Sequence, residues 1–319
     1  MPNIEFCFVV ETGVLEQQAI LLCESIRRFA GPHADAMLTV ISPRSARRPS
    51  AATIARLLQL GAAYVPLELD SPTPEYGPSY RTLALGWRAR QNGPDVLVQL
   101  DSDTLFLDAP DLALNDHIAM ARPVDVKGMC SGGPGDRFEP VWLRMCAVCD
   151  VDIDRLGYVR STVDKRKVRA SFNAGLVVAR RFVFELIAEF FSRIAAAGIR
   201  PFLGQASVMR TGSGQVSPAG HEMWGTTQAA ISLAVARLGS TVRNLAPDDN
   251  IPLHLWHRLD PLPERVAHLH YHWLFADAGA CAAALAGLPL RPEQAAWLRS
   301  RLPLGTADLA TVGAGSLPG

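Results

Sequence analysis

Two aspartates separated by one residue are the first feature of this sequence that could do chemistry. Asp101 and Asp103 flank Ser102 directly after the apolar run 96–100. Residues i and i+2 of an extended backbone project to the same side, so the two carboxylates repel unless a cation lies between them. Oxygen ligands with open positions suit Mg²⁺ or Mn²⁺, which also take phosphate oxygens. The pattern favours a divalent-metal site that binds a diphosphate, and the alternative is a polar turn after a strand.

Histidines and a tryptophan late in the chain offer further functional groups. Three alternating histidines would share one face of a strand over 266–273: His268, His270 and His272. Three imidazoles could bind zinc, but adjacent histidines on one strand rarely form a closed tetrahedral site without other ligands. Glu222 and Trp224 share one loop, and a ring beside a carboxylate suits a sugar. A core tryptophan at a helix start is the alternative there.

The elements that must position these residues alternate in type. Apolar runs predict strands, and a 3.6-residue period predicts the helices between them. The predicted strands cover 4–10, 37–41, 63–67, 96–100, 118–121 and 171–180, and the predicted helices cover 15–29, 51–60, 80–91, 140–149, 182–197, 225–238 and 291–302. This order is typical of an α/β fold with a mostly parallel central sheet and helices on both faces, in which ligands bind at the carboxyl ends of strands.

Composition narrows the functional class. Hydrophobic residues make up 49% of the 319 residues, which supports a large core. Lys plus Arg equals Asp plus Glu at 31 each, so nothing indicates a nucleic-acid partner. No apolar run is long enough to be a transmembrane segment and the first residues lack a basic leader, so we expect a cytoplasmic protein. Six cysteines, including the pair Cys146 and Cys149, are too few for a disulfide scaffold.

Three segments in order resemble one family. The run 96–107 resembles the strand-plus-DxD segment of GT-A-fold glycosyltransferases, especially the glycogenin/galactosyltransferase-like family 8 group. Residues 171–176 resemble its Phe-Asn-Ala-Gly segment, and residues 266–271 resemble its late His-Tyr motif. The resemblance covers about residues 1–275. It implies metal-dependent, retaining transfer of a sugar from a nucleotide-diphosphate-sugar to an unknown acceptor hydroxyl.

The same resemblance implies roles for particular residues. It makes Asp101, Asp103 and His270 ligands of Mn²⁺ or Mg²⁺. It implies donor contacts from Val10, Glu11 and Thr12 at the base, from Arg81 (with Arg88 in reserve) at the phosphates, from Ser102 between the acids, and from Asn173, Ala174 and Gly175 at the sugar. Physically, a glycine lets backbone approach a ligand closely, and an asparagine amide offers sugar hydroxyls both a donor and an acceptor.

Two departures from the family pattern bear on catalysis. The usual Asp-Gln pair is replaced by Thr-Gln, so only Gln228 carries over as a catalytic residue, with Glu222 as the nearby replacement acid or, in an inverting enzyme, the general base. A Lys-Pro-Trp motif after the late histidine is missing. The basic loop 160–169 is the predicted substitute, a lid over the diphosphate, and a solvated charged loop is the alternative.

Other functions and the domain layout complete the expectations. A haloacid-dehalogenase-type phosphatase, a sugar nucleotidyltransferase and a non-catalytic nucleotide-sugar-binding protein are the competing functions. The expected partners are a nucleotide sugar and a saccharide, lipid-linked or protein acceptor, with the oligomeric state open. We expect one GT-A-like domain over 1–303, with a Rossmann-like nucleotide-sugar-binding half (1–122) and an acceptor half (123–303) that contains an insertion at 123–170. A disordered tail is expected over 304–319.

Overall fold

A computed structural model describes residues 3–207 and 209–302. Its strands are β1 (Ile4–Val9), β2 (Met37–Ser42), β3 (Ala62–Pro66), β4 (Val96–Leu100), β5 (Thr104–Phe106), β6 (Ala119–Pro123), β7 (Tyr158–Arg160), β8 (Lys167–Arg169), β9 (Phe172–Arg180), β10 (Arg210–Thr211), β11 (Gly214–Gln215), β12 (Val242–Asn244), β13 (Ile251–Pro252) and β14 (His268–His270). Its α-helices are α1 (Val14–Phe29), α2 (Ala51–Gln59), α3 (Pro78–Ala89), α4 (Glu139–Val148), α5 (Arg181–Ala196), α6 (Pro218–Glu222), α7 (Thr226–Arg237), α8 (Ala278–Ala286) and α9 (Pro292–Arg299). The tail expected over 304–319 lies outside the described residues.

A seven-stranded sheet forms the centre of the fold, in the order β12-β6-β9-β4-β1-β2-β3. Strand β9 runs antiparallel to both of its neighbours, and the other neighbouring pairs run parallel. The predicted α/β class with a mostly parallel sheet is therefore confirmed.

Side chains of the sheet alternate between two cores. On β4, Val96, Val98 and Leu100 pack into a core with residues of α1 and α2. Leu97 points into the opposite core, which contains residues of α3, α5 and α7. Helices on both faces explain why these strands read as continuous apolar runs.

The antiparallel direction of β9 brings its amino end to the carboxyl edge of β4. Leu100 pairs with Leu176 in this register. The Asp101 N–H donates to the Gly175 carbonyl at 3.0 Å, so the acidic pair and the Asn173–Gly175 segment meet at one edge of the sheet.

A second sheet, β13-β14-β5, brings the late histidine to the same edge. Strand β14 pairs antiparallel with β5, which places His270 opposite Thr104. The strand predicted over 266–273 is shorter in the structure, because β5 offers three residues for pairing and the chain turns at His272 with a φ of 54°. The three histidines therefore do not continue along one strand face.

The insertion at 123–170 has its own structure. It contains α4 and the β7–β8 hairpin. Glu139 of α4 forms a buried ion pair with Arg169 of β8 at 2.5 Å, and Trp142 of α4 packs into the core beside α5. The ion pair thus joins α4 to the β7–β8 hairpin within the insertion, and Trp142 anchors the insertion to the domain. Within residues 3–207 and 209–302, no helix has the length and apolar character needed to cross a membrane.

Candidate active site

A cavity of about 500 Å³ opens at the carboxyl edge of β1 and β4. This volume lies within the range of roughly 300–1,000 Å³ that small-molecule sites occupy. Its walls include the charged residues Glu11, Arg44, Arg47, Glu75, Arg81, Asp101 and Asp103, and the polar or aromatic residues Ser102, Asn173, Trp224, Gln228, His270 and His272.

The acidic pair and His270 converge at the bottom of this cavity. The Nε2 atom of His270 lies 3.4 Å from Asp103 Oδ1 and 3.7 Å from Asp101 Oδ2. Each residue offers one ligand atom, and these atoms lie within 4.8 Å of one another. Two carboxylate oxygens and one imidazole nitrogen form a donor set that suits Mn²⁺.

The other oxygen of each carboxylate is engaged by the protein. Asp101 Oδ1 accepts a hydrogen bond from Arg81 Nη1, and Asp103 Oδ2 accepts one from the Gly212 N–H at 3.2 Å. Gly212 lies in the β10–β11 hairpin, where a Cβ would be 2.6 Å from that oxygen. Each acid therefore presents one oxygen to the shared centre, and the residues present fit a single divalent cation.

Electrostatics keep Asp103 ionised. Burial alone would raise the pKa of Asp103, but the charge and hydrogen bond that a protonated His270 supplies in the metal-free site lower it, and the net pKa lies well below its usual range. A bound divalent cation would supply the positive charge in place of the Nε2 proton. A carboxylate must be deprotonated to bind a metal, so Asp103 is prepared for that role at neutral pH.

The environment of His270 changes the expected roles of two residues. A Cβ at Gly175 would lie 2.7 Å from His270 Cε1, so the glycine makes room for the histidine rather than for a ligand. The Asn173 Nδ2 donates to Asp125 Oδ2 at 3.0 Å, and its Oδ1 accepts from the Gly175 N–H at 2.8 Å and from Asn250 Nδ2 at 3.0 Å. The amide expected to bind sugar hydroxyls is thus engaged with protein groups, although Asn173 and Ala174 do line the cavity.

Of the three residues predicted to contact the base at the end of β1, one lines the cavity. Glu11 lines the cavity, whereas Val10 is buried in the core on the α1 and α2 side. The Thr12 hydroxyl donates to Glu16 at 3.3 Å, and Thr12 does not line the cavity. Of the three, only the Glu11 carboxylate reaches the site.

Two arginines that the sequence analysis missed line the same end of the cavity. Arg44 Nε donates to Glu11 Oε1 at 2.6 Å, and its guanidinium lies 4.1 Å from the centre of the Tyr80 ring. Arg47 Nε lies 3.5 Å from Glu11 Oε2. Both follow the carboxyl end of β2, so the rule that ligands bind at strand ends could have identified them.

Of the two arginines predicted to contact the phosphates, Arg81 lies at the cavity and Arg88 does not. Arg81 lines the cavity and contacts Asp101. Arg88 instead pairs with the buried Glu5 at 2.6 Å beneath the sheet. Arg88 therefore neutralises a buried carboxylate and does not line the cavity.

Helix α7 brings Gln228 to the cavity, but Glu222 is directed elsewhere. Glu222 Oε2 lies 3.0 Å from Arg200 Nη1, and its Oε1 accepts from the Gly204 N–H at 3.1 Å. Together these two partners lower the pKa of Glu222, which weakens it as a base. Glu222 is not among the cavity-lining residues, so the structure does not support the acid or base role expected for it.

The basic loop 160–169 forms the β7–β8 hairpin and its turn rather than a cover for the site. Arg160 Nη1 donates to the Lys165 carbonyl at 3.0 Å, and Lys167 lies 4.6 Å from the centre of the Tyr158 ring. Arg169 is buried against Glu139. None of the five basic side chains lines the cavity, so the predicted diphosphate lid is not supported.

The remaining histidines do not converge on a second ion. His268 packs its ring against Phe106 at 4.5 Å, and His272 stacks on His270 at 3.8 Å. His254 lies edge-on to His272, and burial lowers its pKa to about 4. Among the described residues, the Asp101, Asp103 and His270 group is the one cluster with metal-ligand geometry.

The fold and the site together define a class: an α/β protein with a candidate divalent-cation centre in a cavity at the ends of its central strands. The chain belongs to the Rhodobacterales glycosyltransferase domain family, which matches residues 6–207, more than half of its length. Its membership confirms the predicted glycosyltransferase class and disfavours the phosphatase and nucleotidyltransferase alternatives. None of the curated proteins matches the sequence.

Solved glycosyltransferase structures show distant likeness. The galactosyltransferase LgtC in complex with donor and acceptor sugar analogues is 16% identical, with a TM-score of 0.49 over 93% of this chain and 100% of that one. The Q189E active-site mutant of LgtC gives the same values. The bifunctional glycosyltransferase WbbM is 11% identical, with a TM-score of 0.43 over 94% of this chain and 51% of that one. At such distances their substrates are not assigned to this chain.

Proposed function

We propose that this glycosyltransferase is metal-dependent and takes its sugar from a nucleotide-diphosphate-sugar, with Asp101, Asp103 and His270 as the cation ligands. The observation that carries the proposal is the convergence of one atom from each residue inside a cavity of nucleotide-sugar size. A bound Mn²⁺ or Mg²⁺ would supply positive charge to the departing diphosphate.

Charge balance in the cavity supports this dependence. Among its described lining residues, four carry carboxylates (Glu11, Glu75, Asp101 and Asp103) and three carry guanidinium groups (Arg44, Arg47 and Arg81). Without the histidines, the metal-free walls carry one more negative charge than positive charges. This net charge disfavours binding of an anionic diphosphate. A divalent cation reverses that sign, so donor binding should require it.

The other lining residues divide between the two ends of the donor. Glu11 follows the end of β1 and Arg44 follows the end of β2, and we place the base beside this pair. Gln228 and Trp224 lie on the wall near α7, where we place the sugar and the acceptor: the indole suits an apolar sugar face, and the amide suits hydroxyls. Retention of configuration is part of this proposal and rests on the sequence resemblance.

A donor panel tests the proposal. The purified protein would be incubated with uridine, guanosine and other nucleoside-diphosphate sugars, with Mn²⁺ or with EDTA, and release of the nucleoside diphosphate would be measured. Asp103→Asn keeps the side-chain size and removes a charged ligand, so we expect release to fall at least ~100-fold, comparable to loss of other strong electrostatic contacts to a transition state.

A surface carboxylate supplies the matched control. Asp95 pairs with Arg180 at the opposite end of β4 and does not line the cavity, so Asp95→Asn should leave release unchanged. Wild-type release by folded Asp103→Asn protein, or in EDTA, would show that the assigned ligands hold no essential cation.

A further inference from the structure

Two buried polar atoms next to the cation site lack hydrogen-bond partners within the described part of the chain: Nδ1 of His270 and Oδ1 of Asn250. His270 is 5% exposed and Asn250 is 1% exposed, so bulk water does not satisfy either group. Both atoms border the space left by the missing side chain of Gly175. A Cβ there would lie 2.8 Å from Asn250 Oδ1 and closer still to His270 Nδ1.

Hydrogen bonds fix which end of the Asn173 side-chain amide is the oxygen and which is the NH₂ group. The backbone N–H of Gly175 can only donate, so the Asn173 atom that it meets at 2.8 Å must be the carbonyl oxygen. The other end of the Asn173 amide must then be the NH₂ group, and it donates to Asp125 at 3.0 Å. A flipped Asn173 would place donor against donor at Gly175.

The orientation of the Asn250 side-chain amide follows from that of Asn173. The Asn173 oxygen only accepts, so the Asn250 atom that lies 3.0 Å from it must be the NH₂ group. This leaves the Asn250 oxygen on the side of Gly175 and His270. Asn250 Oδ1 and His270 Nδ1 border the same space and neither has another partner among the described residues, so a hydrogen bond that closes across this space would satisfy both. Such a bond requires the proton on Nδ1, because the amide oxygen can only accept.

We propose that Asn250 is a positioning residue: its oxygen accepts the Nδ1–H of His270 and thereby keeps the unprotonated Nε2 directed at Asp101 and Asp103. This inference rests on the proposed cation site. Metal-binding histidines usually donate their second ring N–H to a neighbouring acceptor, which selects the tautomer and orients the ring. The chain Asp125–Asn173–Asn250–His270 supplies such an acceptor through two amides.

The backbone that carries Asn250 is well suited to the task. Asn250 has a φ of 52°, a left-handed conformation that asparagine adopts more readily than most residues. Arg122 Nη1 donates to the carbonyls of Pro247 and Asp249 at 3.1 and 3.2 Å, which holds the preceding turn in place. A positioning group needs such a rigid support.

Metal titration of three variants tests the proposal. Asn250→Gly removes the acceptor and tolerates the positive φ, and Asn250→Asp keeps an acceptor oxygen while losing the bond to Asn173. The control is Asn115→Gly, another asparagine at positive φ (50°), which is exposed and does not line the cavity. We expect Mn²⁺ affinity to fall ~10–100-fold in Asn250→Gly, the usual effect of losing a partner of a metal ligand. Affinity should be largely retained in Asn250→Asp and unchanged in the control.

A nuclear magnetic resonance readout on the unmodified chain makes the test independent of how the variants fold. With ¹⁵N-labelled histidine and the diamagnetic ion Cd²⁺ as probe, the resonance missing in His270→Gln assigns His270. A directly bonded proton on Nδ1, and none on Nε2, supports the proposal. A proton on Nε2, wild-type Mn²⁺ affinity in Asn250→Gly, or equal weakening in Asn250→Gly and Asn250→Asp would overturn it. Wild-type protein that binds neither Mn²⁺ nor Cd²⁺ would instead refute the cation site itself.

Discussion

Gly175→Ala is the substitution whose effect follows most directly from the geometry. The new Cβ would lie 2.7 Å from His270 Cε1 and 2.8 Å from Asn250 Oδ1. Ordinary carbon contacts need ~3.5–4.0 Å, so one side must move by about 1 Å. Residue 175 lies within β9, and its carbonyl accepts the Asp101 N–H. Since the strand is held there, His270 is the group that should move.

The size of the effect can be bounded. Adding one methyl group to a filled interior costs ~1–3 kcal/mol, so the protein should remain folded but less stable. Displacing a ligand should weaken Mn²⁺ binding by more than the ~10–100-fold typical of losing a ligand's supporting partner. Urea unfolding measures the first quantity, and Mn²⁺ titration of the folded protein measures the second.

A second glycine-to-alanine change provides the control. Gly279 lies in α8, where an added Cβ would meet Asp277 Oδ1 at an ordinary 3.6 Å, so Gly279→Ala should stabilise the helix by up to ~1 kcal/mol and leave Mn²⁺ affinity unchanged. Folded Gly175→Ala protein with wild-type Mn²⁺ affinity would refute the reasoning, because it would show that His270 is either free to adjust or not a ligand.

Three further predictions follow from contacts outside the cation centre. Glu222→Gln should change transfer less than ~3-fold in the donor assay, because the carboxylate is bound by Arg200 and lies off the cavity; a loss of the size expected for removing a catalytic base, ~100-fold, would contradict this. Arg88→Met should lower the free energy of unfolding by ~3–5 kcal/mol in urea, because Glu5 would be left buried without its partner; an unchanged midpoint would contradict this. Burial raises the pKa of Asp249 to about 7, so the folded chain keeps a proton that the unfolded chain loses near pH 3.8, and stability should fall as pH rises between these values. Asp249→Asn should therefore flatten the dependence of unfolding free energy on pH between about pH 4 and pH 7, and an unchanged slope there would contradict the assignment.

Six of the seven strands of the central sheet were predictable because their signal is local, whereas β12 was not among the predicted strands. Strands β1, β2 and β4 are short and largely buried, and each reads as a mostly apolar run. The edge strand β3 is only partly buried, but its residues are apolar as well. The strand over 266–273 was overestimated because its length depends on the partner strand β5, which sequence periodicity does not reveal. The cytoplasmic location and the division of the domain at residue 122 stay predictions.

The cation centre was only partly predictable for a similar reason. The spacing of Asp101 and Asp103 after β4 carries its own chemical signal, and the resemblance added His270. Asn250 and Gly212 approach the site through non-local packing, and no residue pattern around them indicates it.

Charge alone was a poor guide to position. The basic loop 160–169 and Glu222 both carry the right groups for a diphosphate site, yet their charges are used in contacts with other parts of the fold. A charged side chain forms ion pairs or hydrogen bonds with whichever groups the fold places beside it. Sequence periodicity does not predict which groups those are.

The same charge accounting links the proposed cation to the proposed donor. With four carboxylates against three guanidinium groups on the described cavity walls, the cation relieves repulsion among the acids and the diphosphate then offsets the charge of the cation. Each ligand should therefore bind more tightly when the other is present, and by thermodynamic linkage the two gains must be equal. The coupling should depend on His270, since its Nε2 lies 3.7 Å from Asp101 Oδ2 and 3.4 Å from Asp103 Oδ1. The tautomer assigned to this imidazole thus bears on the donor as well as on the metal, because a proton on Nε2 would occupy the position that the cation needs.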